Sequence, residues 1–408
     1  MTLHKVGEGR TDISKETITV QTPSERAFLV TVVNKGIAQI VSAEASQEEL
    51  AQLAKSAGAE VVGTAVQNLS APSNAYYLGK GKLAEIQSLK DTLNYNVVIF
   101  DDELLPVQQR NLEEALQVKV IDRVALILDI FARRAMTREG KLQVELAQHQ
   151  YLLPRLMGQW SHLERLGGGI GTRGPGESQL ETDRRLIRRR IQRLEEQIEK
   201  VRTQRLLYRQ RRKKSGVSVV ALVGYTNAGK STLLNALSQG AAVKSEDRLF
   251  TTLDTTTRRL RLPDGRTILL SDTVGFIRKL PTTIISAFRA TLEELEDANL
   301  LLNVLDFSSP YAPEELHTVE SILKELGLQD KPRITVLNKI DRLLDKNKTW
   351  TEEEALNDFL SVHQQPDLNT VFVSATKKWG FPQLLQRVSQ VLDIQDKVSF
   401  KAIKNDAL

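Results

Sequence analysis

The sequence contains no cysteine, and its other absences narrow the possible classes of function further. Zero cysteines in 408 residues exclude disulfide scaffolds, cysteine nucleophiles and thiolate zinc sites. The five histidines lack HxxxH spacing, so a histidine metal cage is not expected. No apolar run approaches the roughly 18 residues of a transmembrane helix, and residues 1–15 contain no signal-peptide core. We therefore expect a cytoplasmic protein that associates with membranes peripherally at most.

The positive charge of the chain is concentrated in one segment. Hydrophobic residues make up 41% and charged residues 26% of the sequence, which is typical of globular domains. The net charge is +5, yet residues 184–214 contain fourteen basic and three acidic residues, so this segment carries +11 and the remainder −6. Such a segment is typical of nucleic-acid contact. The alternative is the solvated face of a coiled coil, although three acidic residues are few for that role.

The first part of the chain predicts a small α/β domain. Residues 1–24 are polar and are expected to form a flexible tail, and residues 25–136 form the domain. Apolar, β-branched segments predict strands at 27–33, 61–66, 96–100 and 118–121, with parallel pairing. Ser46 and Glu49 have the spacing of a capping box that begins a helix. Residues 74–82 mix aromatics, glycines and lysines, which indicates either a polyanion-binding loop or a solvated turn.

Residues 137–214 predict a long antiparallel helical hairpin. Bulky or apolar residues alternate at steps of three and four in two series, which is a heptad pattern. Each helix is expected to be roughly 40–50 Å long, and the second helix is the basic one. The predicted tip, residues 167–177, contains six glycines and includes Arg173. This length exceeds the few residues that a hairpin turn needs, so the tip is either a recognition element or a flexible turn.

A strand at 217–223 leads into Gly224–Ser231, GYTNAGKS, and a helix follows. This is the P-loop pattern in its required strand–loop–helix context. Glycines allow backbone N–H groups to surround phosphates, Lys230 reaches the β- and γ-phosphates, and the Ser231 hydroxyl binds Mg²⁺. Asn227 either coordinates K⁺ beside the phosphates or stabilises the loop.

Further motifs follow in a fixed order. Asp272–Gly275 is a DxxG motif that ends a strand. Its aspartate is expected to support Mg²⁺ from the second coordination shell. Asn338–Asp341 is NKID, whose aspartate accepts from both guanine donors and so discriminates against ATP. Ser374–Thr376 can present a backbone N–H to the guanine O6. Phe276 stands where many GTPases have a water-orienting glutamine, which predicts slow turnover alone or completion by a partner.

These elements predict an α/β protein whose last domain, 217–394, is a Ras-like P-loop G domain with a mostly parallel sheet flanked by helices. A short tail, 395–408, follows. The threonine-rich segment 249–257 is the expected switch, and a threonine there completes Mg²⁺ coordination when the γ-phosphate is present. Spacing alone leaves Thr251, Thr252 and Thr255 as alternatives.

The motifs GGGIGTRGPGE, GYTNAGKSTLLNAL, LFTTLDTTTRRL, DTVGFI, NKID and SAT resemble those of the HflX GTPases, in the Obg–HflX group of translation-associated G proteins. The resemblance covers about residues 25–394. It implies GTP-dependent binding to the large (50S) ribosomal subunit, dissociation or rescue of ribosomes, and contact between the hairpin region and rRNA. It also implies that the Mg²⁺ threonine is Thr252.

The candidate site residues fall into three groups. The predicted metal ligands are Ser231 and Thr252, with Asp272 in support, and Lys230 and Thr252 support the transition state while the catalytic group is unknown. The predicted RNA-binding residues are Arg173, Arg184, Arg185, Arg188, Arg189 and Arg190. The predicted nucleotide-binding residues are Gly224, Tyr225, Thr226, Asn227, Ala228, Gly229, Lys230, Ser231, Thr232, Phe250, Thr251, Thr252, Leu253, Asp254, Asp272, Thr273, Val274, Gly275, Asn338, Lys339, Asp341, Ser374, Ala375 and Thr376.

We expect a GTPase that hydrolyses GTP to GDP and phosphate, slowly alone and faster on the ribosome. The expected cofactor is Mg²⁺, with K⁺ as an addition through Asn227. The expected partners are GTP, GDP and the large ribosomal subunit with its rRNA, and the chain is expected to be a monomer without a membrane partner. One alternative is a GTP-gated RNA-binding or ribosome assembly factor in which hydrolysis is incidental. A membrane-surface GTPase is a further alternative, which the heptad pattern of the basic helix disfavours.

Overall fold

A computed structural model describes residues 25–34, 42–166, 175–214, 216–238, 249–250, 253, 255–279, 284, 289–345, 347–362 and 369–405. These residues form an N-terminal α/β domain, a long helical hairpin and a second α/β domain. Among them, no helix is both long enough and apolar enough to cross a membrane.

The N-terminal domain contains a four-stranded parallel sheet with the strand order β2-β1-β3-β4. The strands are β1 Arg26–Asn34, β2 Glu60–Leu69, β3 Val97–Phe100 and β4 Lys119–Ile121. The helices are α1 Ala43–Ser56, α2 Lys80–Ser88, α3 Lys90–Leu93, α4 Pro106–Leu116 and α5 Arg123–Arg134. The four predicted strands and their parallel pairing are therefore confirmed.

Both faces of this sheet are covered by helices. Successive residues of β1 alternate between two cores, because neighbouring side chains of a strand point to opposite faces. Leu29 packs with Leu53 of α1 on one face, whereas Phe28 packs with Leu112 of α4 on the other. Burial on both sides explains why β1 is a nearly continuous apolar run.

The start of α1 differs from the prediction. The helix begins at Ala43, and the Ser42 side chain accepts a hydrogen bond from the Ala45 N–H. Ser46 is inside the first turn, and its hydroxyl donates to Asp101 over 2.7 Å. The capping-box interpretation of Ser46 and Glu49 was therefore wrong, because an equally suitable N-cap residue lies four positions earlier.

The helical hairpin consists of α6, Arg138–Leu166, and α7, Pro175–Lys214. In the heptad series of α7, Ile187, Ile191, Ile198 and Val201 are half-buried, and Leu194 is fully buried. Arg190 pairs with Glu145 at 2.6 Å and Arg205 pairs with Glu139 at 3.0 Å, so the helices run antiparallel. The predicted hairpin is confirmed. With 40 residues, α7 is about 60 Å long and exceeds the expected length.

The tip of the hairpin lies mostly outside the described residues. Positions 167–174, including Arg173, belong to this part of the chain. The last three residues of the predicted tip, 175–177, form the first turn of α7. Proline at the first helical position explains this start, because its missing N–H would have no partner there.

The second α/β domain has a six-stranded sheet with the order β10-β9-β8-β5-β7-β6. Only the β6–β7 pair is antiparallel among the described strands. The strands are β5 Val219–Gly224, β6 Thr256–Arg261, β7 Thr267–Asp272, β8 Leu300–Asp306, β9 Arg333–Asn338 and β10 Thr370–Phe372. The α-helices are α8 Lys230–Leu237, α9 Arg289–Asp297, α10 Ala312–Glu325, α11 Glu352–Val362 and α12 Phe381–Asn405, with a 3₁₀ turn at Ile340–Arg342.

This topology is that of the predicted G domain. The hairpin between β6 and β7 turns at Gly265, which has φ of +88° and ends a Pro-Asp-Gly sequence that favours a turn. The last helix, α12, passes through position 394, where we expected the domain to end, and continues to Asn405.

The hairpin packs against the G domain through a buried cluster of ion pairs. Arg209 of α7 is 8% exposed and reaches Asp297 of α9 at 2.9 Å and Glu293 at 3.3 Å. Arg202 also pairs with Glu293, at 3.0 Å. Part of the positive charge of α7 therefore holds the two units together.

Candidate nucleotide-binding site

The P-loop connects β5 to α8 through two glycines with positive φ. Gly224 has φ of +145°, and a Cβ atom there would lie 2.1 Å from the Val304 carbonyl oxygen. Gly229 has φ of +98°, and a Cβ atom there would lie 2.3 Å from Asn338 Nδ2. Both positions therefore require glycine for conformation and for space.

Lys230 is buried at the start of α8. Its Nζ donates to the carbonyl oxygens of Gly224, at 3.1 Å, and Tyr225, at 2.7 Å. Burial lowers the pKa of Lys230 to about 8, although nearby Asp272 opposes the shift. A phosphate beside this ammonium group would favour its charged form.

Ser231 and Asp272 lie together at the carboxyl edge of the sheet. The Ser231 hydroxyl donates to Asp272 Oδ2 over 2.6 Å, and both residues are buried. A hydroxyl and a carboxylate are the hard oxygen donors that Mg²⁺ prefers. These residues therefore fit the predicted metal, while the third predicted residue, Thr252, lies outside the described residues.

The DxxG segment closely approaches the P-loop. A Cβ atom at Gly275 would lie 2.8 Å from Lys230 Nζ and 2.8 Å from Thr226 Cα. The Thr226 N–H donates to the Phe276 carbonyl oxygen at 2.8 Å. The Phe276 side chain is only 4% exposed and packs in the hydrophobic core, so it cannot orient a water molecule.

The NKID and SAT motifs meet beside the P-loop. Asn338 Nδ2 donates to the Ala228 carbonyl oxygen at 2.9 Å, and Asn338 Oδ1 accepts from the Ala375 N–H at 3.0 Å. The Ser374 hydroxyl donates to Asp341 Oδ1 at 2.6 Å. Lys339 Nζ donates to the Asn227 carbonyl oxygen at 2.7 Å. Three motifs that are distant in sequence are thus fixed relative to one another.

The remaining predicted nucleotide contacts fall into two sets. Thr232 lies in α8, and Thr273, Val274 and Thr376 lie in the DxxG and SAT segments. In the predicted switch, Phe250 and Leu253 are buried, whereas Thr251, Thr252 and Asp254 lie outside the described residues.

The predicted RNA-binding arginines of α7 differ in exposure. Arg185, Arg188 and Arg189 are exposed, and Arg184 is half-buried. Arg190 is exposed, but its guanidinium group pairs with Glu145 of α6. Three exposed arginines within one and a half turns leave a basic surface on the hairpin.

Family comparisons agree with this geometry. Three family models match in order: GTP-binding GTPase N-terminal at residues 44–132, GTP-binding GTPase Middle Region at 134–212, and 50S ribosome-binding GTPase at 219–339. A GTPase HflX from Caldanaerobacter subterraneus subsp. tengcongensis is 49% identical over 368 residues, which cover 90% of this chain and 81% of the relative. That from Escherichia coli K12 is 46% identical over 345 residues, covering 85% and 78%.

The chain belongs to the HflX family of GTPases. It binds GTP and hydrolyses it, as its family does. Among solved structures, the chain is similar to a GTP-binding protein from Sulfolobus solfataricus in complex with GDP, with 24% identity, a TM-score of 0.44 and coverage of 90% of this chain and 98% of that one. It is also similar to Era in complex with MgGDPNP and 16S rRNA nucleotides, with 27% identity, a TM-score of 0.33 and coverage of 43% and 56%.

In this HflX-family chain, a buried charged cluster links the nucleotide site to the N-terminal domain. Glu49 of α1 accepts hydrogen bonds from the Tyr225 hydroxyl, from Arg123 and from Arg278. Arg123 also donates to Asp101 at 2.7 Å. We call these five residues, together with Lys279, the interdomain cluster. Lys279 Nζ reaches Asp101 at 2.6 Å and Asp102 at 2.6 Å.

Burial and partners set the protonation states of the cluster. Burial and the neighbouring Glu49 carboxylate raise the pKa of Tyr225, so its hydroxyl keeps its proton and donates. Burial alone would lower the pKa of Lys279, but Asp101 and Asp102 outweigh it and raise the pKa. The cluster therefore consists of compensated charges.

The predicted switch also contacts the N-terminal domain. The ring of Phe250 lies 4.6 Å from that of Phe131 in α5, in an edge-to-face arrangement. The Leu249 N–H donates to the Ser56 hydroxyl at 3.2 Å. Segments on both sides of the nucleotide site, at 249–250 and at 278–279, are thus anchored on the same domain.

Sequence reasoning missed this interface. Glu49 was interpreted only as a capping residue, and Arg123, Arg278 and Lys279 were given no role. A weak signal existed, because Asp101 and Asp102 directly follow the buried strand β3 at the carboxyl edge of its sheet. Charges placed after buried strands can mark a polar interface, but nothing in the sequence identifies their partners.

Proposed function

We propose that this chain is a GTP-switched factor of the large ribosomal subunit, in which the nucleotide state controls rRNA binding and which dissociates or rescues ribosomes. The observation that carries the proposal is the position of the N-terminal domain. It contacts the switch segments on one side and continues into the basic hairpin on the other.

The nucleotide-binding residues proposed from the sequence fit this role. The P-loop would surround the phosphates, and Asp341 would accept from the guanine base. Ser231 and Thr252 would hold Mg²⁺, which neutralises charge on the phosphates, with Asp272 in support. The convergence of the P-loop, NKID and SAT motifs supports these assignments.

The exposed arginines of α7 are the proposed RNA contacts. Arg185, Arg188 and Arg189 are exposed, and no acidic residue lies between them in the sequence. Structured RNA is recognised largely through its shape and its phosphates, and each phosphate contact adds salt dependence. Arg190 contributes less in this proposal, because Glu145 already pairs with it.

Co-sedimentation with purified 50S subunits tests the proposal. The full chain is loaded with a non-hydrolysable GTP analogue or with GDP, at two salt concentrations. We expect binding with the analogue only, weaker at the higher salt. Absence of binding with either nucleotide would contradict the ribosomal assignment.

A matched pair of variants tests the basic surface. Replacing Arg185 and Arg189 with alanine removes two exposed charges from α7, whereas replacing Lys55 and Lys324 removes two exposed charges elsewhere. We expect the first variant to bind the subunit at least about tenfold more weakly and with a shallower salt dependence. Equal affinities for the two variants would remove this surface from the proposal.

A further inference from the structure

Arg278 lies beside the phosphate end of the nucleotide site. It follows Gly275 by three residues and lines a cavity of about 330 Å³ together with Thr226 and Asn227 of the P-loop. Its Nε donates to Glu49 at 3.1 Å, and its Nη2 donates to the Ala45 carbonyl oxygen at 2.9 Å. Among the described residues, its Nη1 is buried and has no hydrogen-bond partner.

The site has no polar side chain at position 276, where many GTPases have a water-orienting glutamine. The side chain at 276 is a buried phenylalanine. Phosphoryl transfer spreads negative charge over the transferred group, and an arginine that neutralises it contributes about 10³- to 10⁵-fold in rate. An arginine remains charged throughout, so it acts without exchanging a proton.

We propose that Arg278 is the arginine that contacts the transferring phosphoryl group in cis, and that Glu49 holds it away from that group in the state described here. In the hydrolysis, a bond forms between the water oxygen and the γ-phosphorus. The bond from that phosphorus to the oxygen bridging to GDP breaks. The water proton ends on the released phosphate, and Arg278 keeps its own protons.

The hydrogen bonds of Glu49 make this release feasible. One carboxylate oxygen is paired with Arg123, whereas the other is shared by Arg278 and Tyr225. If Arg278 leaves, Arg123 and Tyr225 still compensate the buried carboxylate. After this movement Glu49 still has a cationic partner, Arg123, which it shares with Asp101, so its buried carboxylate is not left without a charged partner.

Other cations of the interface are less suited to this role. Lys279 is bound by two carboxylates, those of Asp101 and Asp102, on the side of the N-terminal domain. Arg342 lines the cavity but belongs to the 3₁₀ turn that contains the guanine-recognition aspartate. Arg278 is in the segment that directly follows Gly275, where a Cβ atom would lie 2.8 Å from Lys230 Nζ.

The proposal is tested by measuring single-turnover GTP hydrolysis by variants of the full chain, some of which should lower the rate and others raise it. Arg278→Ala should lower the rate at least about tenfold, and Arg278→Lys should lower it less, while GDP affinity stays within about twofold. Glu49→Gln should raise the rate, since it weakens the retention of Arg278. The double variant should be as slow as Arg278→Ala.

The opposite signs separate this proposal from a purely structural contact. If Arg278 and Glu49 only fastened the domains together, both substitutions would break the same contact and would change the rate in the same direction. The proposal is overturned if Arg278→Ala leaves the hydrolysis rate unchanged or raises it. It is also overturned if Glu49→Gln folds and lowers the rate.

Two further measurements keep the proposal testable if Glu49→Gln does not fold. Lys279→Ala loosens the same interface at a side chain that is 38% exposed, and it should raise the rate only while Arg278 is present. Trapping of GDP with aluminium fluoride, which mimics the transferring group, should be lost in Arg278→Ala. Retained trapping would overturn the proposal.

Discussion

The Tyr225 hydroxyl donates a hydrogen bond to the Glu49 carboxylate, although the two residues lie 176 positions apart. Tyr225 is the second residue of the P-loop, and its oxygen also accepts from the Arg278 N–H at 3.1 Å. One side chain therefore contacts the phosphate-binding loop, the segment after DxxG and the N-terminal domain. Through these contacts we expect a movement of the phosphate-binding loop to change the position of the N-terminal domain, which continues into the proposed RNA-binding surface.

Gly224→Ala should destabilise the G domain strongly. The added Cβ would lie 2.1 Å from a backbone oxygen, and φ is +145°. We expect a loss of more than about 3 kcal/mol of unfolding free energy, measured by denaturant titration. Gly265→Ala is the control, since its φ is +88° but its Cβ would meet no atom within 4 Å. It should cost only about 1–2 kcal/mol, and equal losses would refute the steric explanation.

Arg209→Ala should weaken the attachment of the hairpin to the G domain. The substitution removes the cation that Glu293 and Asp297 share, while Glu293 keeps Arg202, so we expect a cost of about 1–3 kcal/mol. Thermal unfolding followed by circular dichroism would detect the change. Arg211→Ala removes an exposed arginine from the same helix and should have little effect. If the two variants unfold alike, the ion pairs do not stabilise the junction.

Asp341→Asn should lower GTP affinity by about 100-fold or more, because the amide presents a donor to a guanine donor. It should also create affinity for xanthosine triphosphate, whose ring carries an acceptor at that position. Fluorescence competition would measure both. Asp330→Asn, on an exposed loop, is the control. Unchanged GTP affinity in Asp341→Asn would remove this residue from the base site.

Nucleotide affinity should fall as the pH rises above about 8. Burial lowers the pKa of Lys230 to about 8, and bound phosphates would raise it, so binding takes up a proton in this range. The affinity should decrease by up to about tenfold per pH unit. Calorimetry in buffers of different ionisation heat would count the protons.

Glu315 provides the control for this pH dependence. It lines the same cavity, and burial raises its pKa to about 7, so it would also take up a proton when phosphates bind nearby. Glu315→Gln should leave the dependence above pH 8 in place. Its disappearance in that variant would show that Glu315, and not Lys230, is responsible.

If Asn227 coordinates K⁺, the first of its two alternative roles, turnover should be faster in K⁺ than in Na⁺. A monovalent ion held by its side chain would neutralise phosphate charge, and we expect an effect on the order of tenfold, or about 1.4 kcal/mol. Asn227→Ala should abolish the difference. Equal wild-type rates in the two salts would leave Asn227 with a structural role only.

The sequence predicted those features that depend on neighbouring residues. The P-loop with its preceding strand, the four strands of the N-terminal sheet and the heptad pattern of α7 each arise within a short segment, where glycine geometry and apolar periodicity dominate. The converging guanine motifs were also predictable, because they follow adjacent parallel strands.

The interdomain cluster could not be predicted in the same way. Glu49 and Arg278 lie 229 positions apart, and their pairing depends on how two finished domains meet. The sequence likewise showed fourteen basic residues at 184–214 as one surface, whereas Arg190, Arg202, Arg205 and Arg209 pair with acidic residues of α6 or α9. The density of charge in the sequence does not show which arginines are available to bind RNA and which pair with neighbouring helices.

If GTP hydrolysis serves a ribosome-dependent switch, as we propose, the large subunit should stimulate it. The most direct test measures GTP turnover by the full chain with and without purified 50S subunits, at a salt concentration that permits binding. We expect a low rate for the chain alone and an increase of at least about tenfold with the subunits. If the subunits bind the chain but leave its hydrolysis rate unchanged, the proposed switch is contradicted. Hydrolysis would then be incidental to an RNA-binding function.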